Sequence, residues 1–366
     1  MAADARVRRI GLLTGGGDCP GLNAALRAVT KTAIREYGMS VVGFKDGFEG
    51  LVEDEVMELS YDDVSGILAL GGTILGTSNR ADPFRYRVVG RRAASWRDLS
   101  ARAARNARRR GVEALLCIGG DGTLTIARRL GEKGLPCIGI PKTIDNDLLE
   151  TDVTFGFDSA LTTATKAIDK LRTTAESHHR VMVVEVMGRY VGWLGLFAGV
   201  AGGGDVILIP EIPYRIEAVC DVVKGRSRKG RRYSIIVVAE GAAPEGGKPA
   251  VDRVVPGSTD PVRLGGVGRA LADEVEARTG LESRVTVLGH LQRGGEPTAF
   301  DRVLATRFGE EAARLAARGR FGRMVGLRGD AIVSAPIRRA VERLKRVPGN
   351  HPLIRAARAV GTSFGE

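Results

Sequence analysis

The chain has 366 residues, of which 43% are hydrophobic and 27% charged, and it carries a formal net charge of +12. This length predicts two domains, and the composition is that of a globular protein, which excludes a disordered chain and a fibre. No run of 18 apolar residues occurs and the first residues are rich in charge, so we expect neither a transmembrane helix nor a signal peptide.

The predicted elements alternate between apolar, β-branched strands and amphipathic helices. The strands are residues 9–13, 40–44, 114–118, 135–140, 181–186, 206–209, 234–238 and 284–288, and the main helices are residues 21–37, 93–110, 159–177, 267–278 and 299–317. Fully apolar strands separated by helices predict parallel sheets covered on both faces. An eight-stranded barrel and two open doubly wound sheets both fit this α/β pattern. Glycine-rich loops after strands in both halves favour the two sheets.

The basic residues are concentrated at residues 91–92, 108–110 and 224–232. Such clusters are typical of solvated helix faces and, for residues 224–232, of one exposed loop, and also of nucleic-acid contacts. Aromatic residues make up only 5% of the chain, which leaves few platforms for base stacking. We therefore expect solvated surfaces, with no nucleic-acid partner and no membrane partner.

The four cysteines are far apart in the sequence. They are Cys19, Cys117, Cys137 and Cys220, and no two of them have the spacing of a metal site or a redox motif. Scattered thiols of this kind predict a reduced, cytoplasmic enzyme.

Two glycine-rich loops follow predicted strands in the first half. Residues 13–23 are LTGGGDCPGLN and residues 117–123 are CIGGDGT. Glycines let a backbone approach a ligand closely, and the following helix start offers amide groups to phosphate. Asp121 suits Mg²⁺ bound to phosphate oxygens, although it also suits a helix N-cap. Either loop alone fits a tight strand–helix turn, and the pair favours a nucleotide or polyphosphate site.

A third loop, PKTIDND at residues 141–147, follows an apolar strand. In a phosphate site one of Asp145 and Asp147 could accept a proton from a hydroxyl nucleophile while the other orients it or meets Mg²⁺. Lys142 could neutralise phosphate or pair with the acids. Asp and Asn are also common turn residues. The second half adds arginines and a glutamate near strand ends, which suit a phosphorylated hydroxylic substrate. Together these loops indicate phosphoryl transfer.

Six motifs in order resemble the phosphofructokinase family along nearly the whole chain: TGGGDCPGLN (14–23), GGTILG (71–76), GGDGT (119–123), PKTIDND (141–147), EVMGR (185–189) and GHLQRGG (289–295). The resemblance implies two doubly wound, Rossmann-like α/β/α domains with the active site in the cleft between them. Residues 1–156 and about 292–348 would bind the phosphate donor, and residues 157–291 and about 349–366 the sugar phosphate. The implied reaction is the glycolytic transfer of a phosphoryl group from ATP to the 1-hydroxyl of fructose 6-phosphate.

The resemblance also implies roles for single residues. Asp145 is the expected general base, assisted by Thr143 and Asp147, and Asp121 is the expected Mg²⁺ ligand. The expected donor-binding residues are Gly17, Arg80, Gly120, Asp121, Gly122, Thr123 and Lys142. The expected fructose 6-phosphate residues are Thr143, Asp145, Arg180, Met187, Gly188, Arg189, Glu240, Arg284, His290 and Arg293. Arg180 and Arg284 would reach the active site of a neighbouring subunit, so a homotetramer or a homodimer is expected.

The identity of the phosphoryl donor is left open between ATP and pyrophosphate. In this family a glycine at the position of Gly122 goes with ATP, whereas a lysine at the position of Lys142 is typical of pyrophosphate enzymes. The combination resembles the mixed-substrate branch, for which ATP is expected. Three positions depart from the ATP pattern: Ile126 replaces a glycine, Phe48 replaces a tyrosine, and Asn79 occupies the place of an arginine that is offset to Arg80.

Two other functions share part of this pattern. A non-catalytic regulatory subunit of a related hetero-oligomer would not need Asp121, Asp145, Asp147 and Arg189, all of which are present. A lipid or nicotinamide kinase also carries a GGDGT loop, but it would not explain the later sugar-phosphate motifs.

Overall fold

The computed structural model describes residues 7–89, 94–254 and 262–366. The strands of these residues are β1 (Arg9–Thr14), β2 (Ser40–Phe44), β3 (Val56–Leu59), β4 (Tyr86–Val89), β5 (Ala94–Arg97), β6 (Ala114–Gly119), β7 (Cys137–Pro141), β8 (Val181–Val186), β9 (Val206–Leu208), β10 (Ser234–Ala239), β11 (Val251–Val254), β12 (Val262–Leu264), β13 (Ser283–Val287), β14 (Arg323–Arg328) and β15 (Ala331–Pro336).

The α-helices alternate with these strands. They are α1 (Leu22–Tyr37), α2 (Phe48–Glu53), α3 (Ser100–Arg109), α4 (Asp121–Glu132), α5 (Phe157–His178), α6 (Trp193–Ala201), α7 (Ile216–Arg228), α8 (Val267–Thr279), α9 (Ala299–Ala317), α10 (Ile337–Ala340) and α11 (Pro352–Ala359), and a 3-10 helix spans Gly289–Arg293. No helix among the described ranges is long and apolar enough to cross a membrane.

The chain forms two compact units, each assembled from three stretches. Unit 1 takes the described residues of Met1–Ile144, Leu148–Ser159 and Arg293–Leu344, and unit 2 those of Asp145–Asp147, Ala160–Gln292 and Lys345–Glu366. The resemblance implied a domain boundary after residue 156, and unit 1 ends nearby at Ser159. The short segment Asp145–Asp147, which was expected in the first domain, belongs to unit 2. The assignment of one unit to each substrate stays a prediction.

Unit 1 is built on a sheet with the strand order β15-β14-β7-β6-β1-β2-β3. The five central strands are parallel, and β3 and β15 pair antiparallel at the two edges. The central strands are almost completely buried because helices cover them, which is what their continuous apolar composition predicts. Helices α1 and α9 approach closely: a Cβ atom on Gly309 would lie 2.7 Å from that of Ala28.

Unit 2 is built on a parallel sheet with the order β13-β8-β10-β9. Successive residues of a strand point to opposite faces. Accordingly, Val183 packs in a core with residues of α7 and α8, whereas Val184 packs in a second core with residues of α5 and α6. The prediction of two doubly wound sheets rather than one barrel is therefore confirmed.

Two local predictions are wrong. The predicted helix 93–110 begins only at Ser100, because Ala94–Arg97 forms β5 and pairs with β4. Just before the helix, Asp98 accepts hydrogen bonds from the amide (2.9 Å) and the hydroxyl (2.5 Å) of Ser100. Residues 224–228 of the predicted exposed loop are the last turns of α7. Ala93 and the basic pair at residues 91–92 lie outside the described residues.

Candidate active site

The three loops singled out in the first half meet at one edge of the unit 1 sheet. Strands β1, β6 and β7 are parallel neighbours, so their carboxyl ends lie at the same edge. The amide of Gly15 donates to the carbonyl of Ile118 (2.9 Å), and the amide of Lys142 donates to that of Gly119 (3.1 Å). The glycine loop, the start of α4 and the loop after β7 are thus joined by backbone hydrogen bonds.

The glycine loop after β1 is closely packed on its neighbours. A Cβ atom on Gly15 would lie 2.6 Å from the hydroxyl of Thr123, so this position requires glycine. The carbonyl of Gly17 accepts a hydrogen bond from the buried ammonium group of Lys142. A positively charged group therefore contacts the backbone of the glycine loop, which is an arrangement suited to phosphate.

The start of α4 is suited to an anion. Asp121 is the first residue of the helix and is exposed, and Gly120 precedes it with extended backbone. The first turn of a helix presents amide groups that its own backbone cannot pair, and the helix dipole favours negative charge there. Gly122 is exposed, and a Cβ atom added to it would contact nothing within 4 Å. The helix start is therefore open to solvent at this position and leaves room for a side chain.

The carboxylate of Asp121 fits a divalent metal that is shared with a substrate. In the part of the chain that the structure describes, no group of three or more His, Cys, Asp and Glu side chains is arranged to hold a metal ion. Mg²⁺ usually takes one or two protein carboxylates, and substrate phosphates and water complete its coordination. A single exposed carboxylate at a helix start that is suited to an anion fits that requirement.

The loop after β7 carries the predicted catalytic residues. Thr143 is buried in unit 1, and its carbonyl accepts a hydrogen bond from the hydroxyl of Thr154 (2.7 Å). Asp145 is half-buried and Asp147 is 9% exposed. Between them Asn146 has a φ of 51°, in the left-handed region that Asn tolerates better than most residues. The loop is thus a tightly turned segment with one carboxylate on each side of a residue with left-handed backbone.

The segment that carries Arg80 is attached to the glycine loop. The amide of Gly16 donates to the carbonyl of Ser78 (3.2 Å), and the hydroxyl of Thr77 donates to the carbonyl of Gly16 (2.7 Å). Arg80 itself is exposed two residues later.

Two of the residues that depart from the ATP pattern belong to the core of unit 1. Phe48 is 3% exposed in that core, and the half-buried Ile126 packs against it.

The predicted sugar-phosphate residues of unit 2 follow three adjacent strands. Residues 187–189 follow β8, Glu240 follows β10, and His290 lies in the 3-10 helix after β13. The amide of Gly241 donates to the carbonyl of Gly188 (3.1 Å), and a Cβ atom on Gly241 would clash with the carbonyl of Arg189. His290 is exposed and Glu240 and Arg189 are half-buried, so these side chains share one accessible edge of the sheet.

Arg180 and Arg284 lie at the other end of the same strands. Arg180 precedes β8 and Arg284 is the second residue of β13, whereas residues 187–189 follow β8. Six strand residues span about 20 Å. Both guanidinium groups pair with the carboxylate of Glu282, Arg180 at 2.8 Å, and the hydrogen bond from Arg180 lowers the pKa of Glu282. The structure therefore does not bring these arginines to the 187–189 edge of their own chain.

Arg293 is the first residue of the third stretch of unit 1. Its guanidinium donates a hydrogen bond to the carbonyl of Asp18 (3.1 Å), and a Cβ atom on Gly17 would lie 2.8 Å from its Nη1. The residue that the resemblance assigns to the sugar phosphate thus contacts the glycine loop of unit 1.

Sequence reasoning assigned no role to two residues beside these loops. The buried amide of Gln292 lies within the last motif, and its oxygen accepts from the amide of Met187 (3.4 Å). Lys345 donates a hydrogen bond to the side chain of Asn146 (3.0 Å). The motif itself was a signal for Gln292, but no local pattern marks Lys345.

The fold and the strand-end loops define an α/β protein built to bind phosphorylated ligands. The family described as Phosphofructokinase matches residues 9–316, and the chain therefore belongs to the phosphofructokinase family.

Proteins similar to this chain carry two kinds of name. An ATP-dependent 6-phosphofructokinase of Chloroflexus aurantiacus is 51% identical over 362 residues, which cover 98% of each chain. A pyrophosphate–fructose 6-phosphate 1-phosphotransferase of Amycolatopsis methanolica is 52% identical over 342 residues, which cover 93% of this chain and 96% of that protein. The solved phosphofructokinase of Saccharomyces cerevisiae is 34% identical with a TM-score of 0.78, and the match covers 92% of this chain and 45% of the yeast chain.

Proposed function

We propose that this protein is an ATP-dependent 6-phosphofructokinase of glycolysis, which converts fructose 6-phosphate and ATP to fructose 1,6-bisphosphate and ADP. The observation that carries the proposal is the first turn of α4. There an exposed carboxylate, Asp121, is followed by a glycine, Gly122, with open space around it, at the same sheet edge as the glycine loop. Relatives named as ATP-dependent enzymes over nearly the full chain support the same function.

In the proposed reaction Asp145 accepts the proton of the sugar 1-hydroxyl. The 1-oxygen then forms a bond to the γ-phosphorus, the bond from that phosphorus to the bridging oxygen of ADP breaks, and ADP leaves. Thr143 and Asp147 orient the hydroxyl and the transferring group. Reactions of this kind need little covalent participation by the protein, because positioning and charge neutralisation lower most of the barrier.

The donor phosphates are assigned to unit 1. Phosphofructokinases need a divalent metal ion, and the proposed ion is Mg²⁺, which Asp121 would hold together with phosphate oxygens and which would neutralise their charge. The remaining donor-binding residues in this proposal are Gly17, Arg80, Gly120, Gly122, Thr123 and Lys142.

Fructose 6-phosphate is assigned to unit 2 and to Arg293. The proposed contacts from the same chain are Thr143, Asp145, Met187, Gly188, Arg189, Glu240, His290 and Arg293. Arg180 and Arg284 are proposed to act in a neighbouring subunit, because they lie about 20 Å along the strands from residues 187–189 of their own chain. The active oligomer would then be a homotetramer or a homodimer. The proposed compartment is the cytoplasm, in which the four buried, free cysteines would stay reduced.

The alternative function is a pyrophosphate-dependent fructose 6-phosphate 1-phosphotransferase. Two observations favour it: Lys142 is buried with its ammonium against the glycine loop, and a relative of 52% identity carries that name. A reaction with pyrophosphate would run in both directions.

A coupled assay for fructose 1,6-bisphosphate separates these functions. The purified protein receives fructose 6-phosphate and Mg²⁺, with ATP in one reaction and pyrophosphate in the other, and an Asp145→Ser variant gives the background. Turnover with ATP and none with pyrophosphate is the expected result. Turnover with pyrophosphate alone would establish the alternative, and no turnover with either donor would overturn both.

A further inference from the structure

Lys345 lies against the loop that carries the proposed general base. Its ammonium group donates a hydrogen bond to the side-chain oxygen of Asn146 (3.0 Å), and its backbone amide donates to the carbonyl of Asp147 (2.7 Å). Both contacts are within unit 2. One residue therefore fixes two consecutive residues of a loop whose central member, Asn146, has left-handed backbone that costs energy unless its surroundings hold it.

The other side of Lys345 is bound to the start of α6. The indole nitrogen of Trp193 donates to the carbonyl of Lys345 (2.6 Å), and the ammonium group lies 5.7 Å from the centre of the indole ring. Trp193 is 7% exposed and is the first residue of α6, four residues after Arg189. The same residue thus contacts the 145–147 loop and the helix that follows the 187–189 loop.

The carboxylate of Glu211 holds the chain two residues after Lys345. One carboxylate oxygen of Glu211 accepts hydrogen bonds from the amides of Val347 and Gly192, both at 3.0 Å. We call residues 345–347 the C-terminal strap. The strap is bound at one end to Asn146 and Asp147, directly to Trp193, and through the carboxylate of Glu211 to Gly192. It therefore connects the loop of the two carboxylates to the start of α6, the helix that follows the proposed sugar-phosphate loop.

We infer that Lys345 is a positioning residue for phosphoryl transfer, which rests on the proposed function. By fixing Asn146 and Asp147 it sets the direction of the Asp145 carboxylate relative to the sugar that residues 187–189 hold. Displacement of a reacting group by about 1 Å can lower a rate by about a hundredfold. Lys345 acts through the loop and touches neither substrate, so its loss lowers kcat while substrate binding changes little.

Three variants test this role, with one matched control. Lys345→Met keeps most of the side-chain length and removes the ammonium group, Lys345→Arg restores a positive donor, and Trp193→Phe removes the hydrogen bond to the strap. Lys224→Met makes the first change at an exposed lysine of α7 in the same unit. We expect Lys345→Met to lower kcat about ten- to a hundredfold and to change both KM values less than about threefold. Trp193→Phe should have a smaller effect in the same direction, and Lys345→Arg should recover most of the activity.

Amide hydrogen exchange of peptides covering residues 143–149 provides a readout that does not depend on activity. Exchange there should be faster in Lys345→Met than in Lys224→Met, with equal melting temperatures. The inference is overturned by a kcat within twofold of the wild type, by a general loss of stability that accounts for the lost activity, or by unchanged exchange. If the wild-type protein makes no product with either donor, the proposed function fails, and the exchange comparison still decides whether Lys345 holds this loop.

Discussion

The carboxylate of Asp301 accepts hydrogen bonds from the amide (2.8 Å) and the hydroxyl (2.6 Å) of Ser159. Asp301 lies in the first turn of α9 and is fully buried, and Ser159 lies in the first turn of α5. Burial raises the pKa of Asp301 to about 6, although the hydrogen bonds from Ser159 oppose the shift. Both residues belong to unit 1, and the chain passes into unit 2 directly after Ser159.

The raised pKa of Asp301 predicts that part of the protein's stability depends on pH, and that Asp301→Asn removes this dependence. A carboxyl group whose pKa is higher in the folded protein than in the unfolded chain binds its proton more tightly in the folded protein. Its contribution to the free energy of unfolding is therefore fully present below about pH 4 and is lost as the pH rises to about 6. Asparagine keeps the acceptor but does not titrate. We therefore expect the free energy of unfolding of the variant to improve relative to the wild type by up to about 3 kcal/mol between pH 4 and pH 7. Urea unfolding of both proteins at four pH values measures this difference, and a constant difference would contradict the assignment.

The open space at Gly122 predicts that an aspartate there changes the donor and not the fold. A Cβ atom at this position meets nothing within 4 Å, so Gly122→Asp should melt within a few degrees of the wild type. Its carboxylate would repel and crowd the donor phosphates, and we expect turnover with ATP to fall at least a hundredfold. Gly131→Asp is the matched control, because it makes the same change in equally open space at the far end of α4. Unchanged kinetics with ATP in Gly122→Asp would remove the basis of the donor assignment.

Asp145→Ser is expected to lower kcat by several orders of magnitude while the KM for fructose 6-phosphate changes little, because a general base acts mainly in the transition state. Steady-state kinetics with product detection measures both constants. Asp62→Ser, which changes an exposed aspartate of unit 1, should leave them unchanged. Near-normal turnover of Asp145→Ser would show that another group takes the proton.

The positions of Arg180 and Arg284 predict complementation between two differently defective subunits. Arg180→Ala should raise the KM for fructose 6-phosphate strongly, because the phosphate of the sugar loses a guanidinium contact. When Arg180→Ala and Asp145→Ser subunits are unfolded together and refolded, hybrid oligomers contain sites with Asp145 from one chain and Arg180 from the other. We expect such mixtures to recover activity that neither variant has alone. Activity no higher than the sum of the separately refolded variants would place Arg180 in the site of its own chain.

The central strands were predictable because burial on both faces demands continuous apolar residues. Strands β2 and β8 have the predicted bounds, and β1, β6, β7, β9, β10 and β13 differ from prediction by a few residues at most. Most strands that the sequence did not indicate mix polar and apolar residues, because they are exposed or lie at the edge of a sheet. Strand β11 is exposed throughout and forms a two-stranded sheet with β12 in the described part of the chain, and β3 and β15 are antiparallel edges. Among the strands of the described residues, β14 is the buried one that was missed, since Gly326 interrupts its apolar run and Arg323 and Arg328 bound it.

The amino-acid sequence by itself determined where the loops that carry the proposed site residues lie in the fold. In parallel sheets the loop after a strand lies at the carboxyl edge, so TGGG, GGDGT and PKTIDND could be placed at strand ends from chain order and residue type alone. Only the tertiary structure decided which groups hold those loops in place. Lys345 and Asn146 are 199 residues apart, and Arg180 and Arg284 share Glu282 because β8 and β13 are neighbours. Such contacts depend on strand order and on the path of the C-terminal strap, which no local pattern of residues encodes.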